Sequence, residues 1–260
     1  MIAQQVNVDT IANNLSNVNT HGYKTQVNEF KTLLYQTLQT KTTTANGERK
    51  PTSAQVGLGT RNSAITSIFR EGNLISSDKT TAFAIDGKGF FAVRGEDGNT
   101  YYTRNGNLEF SLATNGNMLS TSDGLPVLDN QGRPIILGDQ YILSRVTVTK
   151  DGDVCYPDEK NNPQPLGITI GIFQFNNPNG LDRLEDSLYR QTAASGQPIN
   201  EFNNPNVEKS DIIQGYLEGS NVQVVDEMVN MIVAQRAYEL NSKAITASDE
   251  MLQQANNLRR

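Results

Sequence analysis

Residues 222–260, VQVVDEMVNMIVAQRAYELNSKAITASDEMLQQANNLRR, run for 39 positions without a glycine or a proline. Ser220 or Asn221 is placed to cap a helix there. Asp226 and Glu227 fall in its first turns and Arg259 and Arg260 in its last, each charge at the end the helix dipole favours. Met231, Tyr238, Ile245 and Leu252 recur every seven residues, and Ala237, Ala244, Met251 and Leu258 form a second row beside them. This period predicts a long helix in coiled-coil-like contact. At a rise of ~1.5 Å per residue it would reach nearly ~60 Å, longer than a domain of this size is wide.

The other end of the chain carries a matching signal. Residues 2–19, IAQQVNVDTIANNLSNVN, also lack Gly and Pro, and Val8, Ile11, Leu15 and Val18 recur at helical spacing. Asn19-Thr20-His21-Gly22 ends that helix, with Gly22 the expected left-handed residue. A second apolar run, Phe30, Leu33, Leu34 and Leu38, could add a helical turn or two. Residues 39–63 are polar and read either as a flexible linker or as an extended arm that orders against a neighbour.

From Ala64 to about Ile213 the period changes to that of strands. Asp86-Gly87, Asp97-Gly98, Asn105-Gly106, Asn115-Gly116, Asp123-Gly124 and Gln131-Gly132 place a turn every 8 to 11 residues, with short runs such as GFFAVR, TYYTR and LEFSL between them. That spacing predicts a meander of hairpins. Further strands are expected at YILSRVTVT and ITIGIFQF, with one helical turn around Leu181–Leu184. The expected fold is therefore α+β: long N- and C-terminal helices forming a coiled-coil-like bundle, with an inserted antiparallel β-rich domain. The corresponding segments are 1–38 (N-terminal helical part), 39–63 (connecting arm), 64–213 (β-rich outer domain) and 214–260 (C-terminal helix). Two paired helices of this kind leave apolar surface uncovered, so further subunits are expected on them.

Composition narrows the chemistry. The 260 residues carry a net charge of -6, one cysteine, one histidine and no tryptophan. A single Cys155 makes neither an internal disulfide nor a cysteine-based zinc site, and a single His21 supplies no multi-histidine metal site. An acidic chain without a basic stripe is not built for nucleic acid, because phosphate neutralisation drives that affinity. No apolar run reaches membrane-spanning length, so no membrane insertion is expected. Met1 to Thr10 has neither the basic nor the apolar region of a secretory signal. The 29 Asn and 17 Gln suit a large hydrogen-bonded surface and many turns.

No motif nominates a catalytic or cofactor site. Gly87-Lys88-Gly89-Phe90-Phe91-Ala92 matches a loose dinucleotide fingerprint, but the residues after it read as a strand and not as the required helix. Asp151-x-Asp153 resembles the start of a calcium loop, yet Cys155 stands where an oxygen ligand is needed. His21 sits at a helix end, where a cap or a solvated turn accounts for it. Cys155 reads as a passive thiol. The chain is expected to be no enzyme and to need no cofactor.

The terminal motifs carry a resemblance. Residues 8–24, VDTIANNLSNVNTHGYK, look like the N-terminal motif of the flagellar rod and hook axial proteins, and residues 216–258 resemble their C-terminal motif. Residues 83–110, FAIDGKGFFAVRGEDGNTYYTRNGNLEF, resemble the β core of the same family. Leu33 to Arg61, from LLYQTLQT to QVGLGTR, resembles the segment that marks the distal rod against the hook. The resemblance implies a structural subunit that self-assembles into the tubular distal rod of the basal body, transmitting torque and forming the export channel. Its implied partners are further copies in a helical tube, other rod and hook subunits, and the flagellar export apparatus. Its implied location is extracytoplasmic, in the bacterial flagellum basal body, reached without a cleaved signal peptide. Carried over residue by residue, Asn13, Asn14, Asn17, Gly22, Tyr23 and Lys24 belong to the first motif. Asn230, Met231, Gln235, Arg236, Tyr238 and Asn241 belong to the second. With Val8, Ile11, Leu15, Val18, Ile245 and Leu252 they are the expected subunit-packing residues, Asn230 excepted. Family members carry about a further turn of helix ahead of the position of Met1, so the chain is expected to start late relative to them. A proximal-rod or hook subunit is the near alternative. A carbohydrate-binding β module on a helical stalk is the remote one, disfavoured by the missing tryptophan.

Overall fold

The computed structural model describes residues 1–39, 54–113, 116–158 and 162–257. The chain divides into two compact units. One comprises Met1–Leu15, Gln26–Ser67 and Val224–Arg260, and the other Ser16–Thr25 and Ile68–Gln223.

The first unit holds both α-helices, α1 (Ile2–Ser16) and α2 (Val224–Asn257). Two antiparallel strand pairs accompany them. Gln26–Thr32 runs against Thr60–Ser67, from Gln26 opposite Ser67 to Thr32 opposite Thr60, with an irregularity at Glu29/Phe30. Tyr35–Gln39 runs against Ala54–Gly57. The run Phe30, Leu33, Leu34, Leu38 thus lies in and between extended strands and not on a helical turn. Residues 54–57 and 60–63, part of the stretch read as linker or arm, are strand as well. Residues 40–53 of that stretch lie outside the described residues.

The second unit is almost entirely β. Its largest sheet has six strands in the spatial order Asp182–Arg183, Leu188–Arg190, Thr100–Thr103, Phe90–Arg94, Ile172–Gln174, Ile199–Asn200, paired antiparallel throughout. Three-stranded sheets are built from Leu108–Ala113, Gly116–Thr121 and Ile136–Leu137, and from Thr147–Val148, Asp153–Pro157 and Pro163–Thr169. Phe83–Asp86 pairs with Asp211–Gln214, and Leu74–Ser76 with Tyr216–Glu218. The turn dipeptides account for this pattern: Gly98, Gly124 and Gly132 all adopt positive φ, which a side chain resists. Two apolar clusters fill the unit. One contains Phe83, Ile85, Phe91, Val93, Leu108 and Val127, and the other Phe90, Tyr102, Phe175 and Tyr189 in edge-to-face contacts.

The helical bundle expected from the termini is not formed. The described chain has one short and one long helix among many small sheets, and strand content dominates. At ~1.5 Å per residue α1 spans about 22 Å, too short to accompany the 34 residues of α2. What α1 buries is Thr10, Ile11 and Asn14, two of the three polar, and α2 buries Ala234 alone. The heptad row becomes more exposed along the helix, from half-buried Met231 through Tyr238 at 39%, Ile245 at 50% and Leu252 at 69%. A seven-residue period records that a face is apolar, and the described residues supply no second helix long enough to cover it. Leu258, Arg259 and Arg260 lie outside the described residues.

Smaller expectations also shift. YILSRVTVT begins as a 3-10 turn, Leu143–Arg145, before the strand Thr147–Val148. The helical turn expected around Leu181–Leu184 is replaced by the strand Asp182–Arg183, flanked by 3-10 turns at Pro178–Gly180 and Glu185–Ser187. Cys155 is buried within the strand Asp153–Pro157.

Candidate functional site

In the second unit the two terminal motifs meet. Helix α1 ends at Ser16, and the chain turns through residues 17–22. Gly22 takes φ +70°, and a Cβ on it would lie 2.6 Å from the Arg104 carbonyl carbon. Only glycine meets both conditions without displacing backbone. The strand Tyr216–Glu218 and the residues just after it hold the next stretch of chain. The Gly22 N–H donates to the Glu218 carbonyl at 2.8 Å. Lys24 Nζ donates to Glu218 Oε1 at 2.5 Å and to the Arg70 carbonyl at 2.8 Å. Arg104 Nη1 donates to Glu218 Oε2 at 3.4 Å, and its Nη2 to the Gly87 carbonyl at 2.5 Å. The Gly72 N–H completes the carboxylate's contacts at 3.0 Å.

Lys24, Arg104 and Glu218 are 0%, 2% and 1% exposed, so two cations share one buried carboxylate. The excess positive charge rests on carbonyl dipoles and on the Phe90 ring, 5.4 Å from the Arg104 guanidinium carbon. Burial pushes the Lys24 ammonium below the ordinary lysine range, opposed by Glu218 and reinforced by Arg104. Beside this triad Asn221 Oδ1 accepts from both the N–H and the hydroxyl of Thr25 at 2.7 Å. Its Nδ2 donates to the Ile68 and Arg70 carbonyls at 2.8 and 2.9 Å. Asn221 therefore clamps three stretches of chain instead of capping α2, which begins at Val224. Tyr23 is buried, with the Arg183 guanidinium over its ring.

In the first unit Asn14 does comparable work. Its Nδ2 donates to the Gln26 carbonyl and its Oδ1 accepts from the Gln26 N–H, both at 2.8 Å. The side chain thus imitates a neighbouring strand. Its amide also reaches Glu227 of α2 at 3.4 Å, and burial raises the Glu227 carboxyl above its ordinary range.

The remaining expected packing residues fall into two groups. Ile11 is buried, Asn13 is exposed, and Val8, Leu15, Asn17 and Val18 are half-buried. On α2, Gln235, Arg236, Tyr238, Asn241, Ile245 and Leu252 are exposed, and Arg236 pairs with Glu239 at 3.0 Å. The apolar side chains around them, Ile232, Val233, Leu240 and Met251, are exposed too, as are Leu34, Tyr35, Leu38, Val56 and Leu58 on and beside the two-stranded arm. No sequence signal singles out Glu218, Arg104 or Arg70. Lys24 and Glu218 stand 194 positions apart, and no local pattern marks such a pair.

Nothing in this arrangement resembles a reaction centre. The strand Phe90–Arg94 comes directly after Gly89, so the dinucleotide fingerprint lacks its helix. Among the described residues no group of three His, Cys, Asp or Glu side chains could hold a metal ion. No described helix is long and apolar enough to cross a membrane.

Residues 1–24 match the model of the flagella basal body rod protein family. Residues 84–156 match that of the flagellar hook protein FlgE/F/G D1 domain, and residues 213–258 that of the flagellar basal body rod FlgEFG protein C-terminal. The flagellar basal-body rod protein FlgG of Borreliella burgdorferi is 45% identical over 100% of this chain and 96% of its own length. The chain belongs to the FlgG family of flagellar basal-body rod proteins. FlgG of Bacillus subtilis is 37% identical over 98% of this chain and 94% of its own. The flagellar hook-basal body complex protein FlhP of the same organism is 30% identical over 98% and 94%. Like the rest of the FlgG family, the chain is a structural component of the flagellar basal body and not an enzyme. The buried anchor joins residues from both stretches that the flagellar rod family models recognise, 1–24 and 213–258.

Proposed function

We propose that copies of this chain assemble into the tubular distal rod, which transmits torque and encloses the export channel, and that each copy arrives through the flagellar export apparatus. Family membership makes other rod and hook subunits of the basal body its partners. The observation that carries the reading is the uncovered apolar surface of α2. A soluble monomer rarely displays so many large apolar side chains along one element, and α2 leaves Val225, Met228, Val229, Ile232, Val233, Leu240, Ile245, Met251 and Leu252 exposed. The apolar arm beside residues 54–58 is a second such surface.

The two groups of expected packing residues then divide the work. Ile11, Asn14, Gly22, Tyr23 and Lys24 hold the subunit's own fold. Val8, Asn13, Leu15, Asn17, Val18, Met231, Gln235, Arg236, Tyr238, Asn241, Ile245 and Leu252 are assigned to contacts with neighbouring subunits. Ile245→Asp tests this, because a carboxylate buried without a partner costs several kcal/mol. The variant is expected to be soluble, to keep the strand signal of the β unit, and to fail to form rods. Thr246→Asp, exposed and flanked on its own face by Glu239, Lys243, Glu250 and Gln253, is the control. Normal rod formation by Ile245→Asp would show that this face is not an interface.

A further inference from the structure

We infer that residues 16–25 form a strap that closes on the second unit through Glu218 and opens without unfolding that unit. The segment is part of the unit by contact, yet neither apolar cluster contains any of its residues. Many of its polar ties converge on Glu218, Asn221 and the Arg70 carbonyl. Gly22 bonds the Glu218 backbone and Lys24 the Glu218 side chain. Thr25 bonds the Asn221 side chain, and its carbonyl accepts from the Ile68 N–H at 2.8 Å. Tyr23 is the one large apolar group of the segment that is fully covered.

The side that receives the strap stands on its own contacts. Glu218 is held by Arg104 and by the Gly72 N–H, and the strand Tyr216–Glu218 is paired with Leu74–Ser76. Arg104 keeps the Ile85 and Gly87 carbonyls and the Phe90 ring. Opening would hydrate Lys24, which is strongly desolvated when closed, and would leave Glu218 paired with Arg104. The closed state depends on the carboxylate, because a buried ammonium that loses its anion is expensive. The carboxylate does not depend on the strap to the same degree. That asymmetry distinguishes a strap from a core element: one side leaves and the other stays folded.

The experiment is hydrogen exchange by mass spectrometry on the full chain, comparing the unaltered protein with Glu218→Gln. Gln keeps the volume of Glu218 and removes its charge. The amides of residues 22–25 are expected to exchange roughly a hundredfold faster, while those of Phe91 and Val93 in the central strand stay unchanged. Asn221→Ala leaves the three charges in place and removes the Thr25 ties, and is expected to accelerate the same amides by roughly tenfold. Equal acceleration in the central strand, or a Glu218→Gln protein that does not fold, would make residues 16–25 an integral part of the core and overturn the inference. Unchanged exchange at residues 22–25 would overturn it from the other side, by showing that Glu218 does not hold them.

Discussion

Gly22→Ala measures how tightly the N-terminal motif is seated. Two penalties apply. At φ +70° an alanine carries the left-handed cost, ~1–2 kcal/mol. Its Cβ would also lie 2.6 Å from the Arg104 carbonyl carbon and 2.7 Å from the Asn105 nitrogen. Both are backbone atoms, so rotating a side chain brings no relief, and overpacking of this kind adds ~1–3 kcal/mol. Gly98 separates the two effects. Its φ is +78°, and nothing lies within 4 Å of a Cβ built on it. Gly98→Ala should therefore cost ~1 kcal/mol and Gly22→Ala ~3 kcal/mol. At ~2–4 °C per kcal/mol for a unit of this size, the thermal midpoints should fall by ~3 °C and ~10 °C. The assay is thermal unfolding of the three proteins followed by far-ultraviolet circular dichroism. Equal shifts would refute the reasoning, because they would mean that residue 22 does not press on the Arg104–Asn105 backbone.

Other consequences rest on the same kinds of contact. Asn14→Ala removes two hydrogen bonds from the Gln26 backbone, at about 1–3 kcal/mol. It should speed hydrogen exchange at the Gln26 amide and leave the second unit's melting unchanged, whereas unaltered exchange would remove Asn14 from its clamping role. Burial pushes the Tyr102 and Tyr189 phenols up to about 12. Because these folded values exceed the unfolded value near 10, the native state holds protons that the unfolded state loses. Stability is complete below pH ~10 and falls as pH rises toward ~12, by on the order of 2–3 kcal/mol for Tyr189. Ultraviolet titration of the nine tyrosines should show Tyr102 and Tyr189 among those that ionise late, and chemical denaturation across that window should show the loss. Cys155 is buried and its thiol is raised by that burial, so it should resist alkylation in the folded protein and react at once in denaturant.

Much of this structure is legible in advance where the signal is local. The glycine turns at residues 98, 124 and 132 place strands between them, because positive φ is a property of one residue and its neighbour. The helical periods at residues 2–16 and from 224 onward are local in the same sense. The inference from period to partner is what fails. Met231, Tyr238, Ile245 and Leu252 show an apolar row, but a row does not say what covers it, and within the chain little does. Phe30, Leu33, Leu34 and Leu38 fit two periods in so short a run, and the pairing of Phe30 with Asn62 and of the strand holding Leu38 with Ala54–Gly57 decides for β. The anchor is half legible. Gly22, Tyr23 and Lys24 stand in a motif, whereas Glu218 and Arg104 are ordinary charges in the sequence that become special only by burial together. Asn221 reads as a cap because caps are local, and its true partners at residues 25, 68 and 70 are not.

The most direct test of assembly through α2 is thiol protection at position 245. An Ile245→Cys protein carries two thiols, one on the exposed face of the helix and the buried Cys155 as an internal reference. In the soluble subunit the thiol at 245 should be alkylated rapidly and Cys155 slowly. In rods isolated from cells the thiol at 245 should react roughly tenfold or more slowly, while Cys155 stays as slow as before. Equal reactivity at 245 in soluble and assembled protein would contradict assembly through this face.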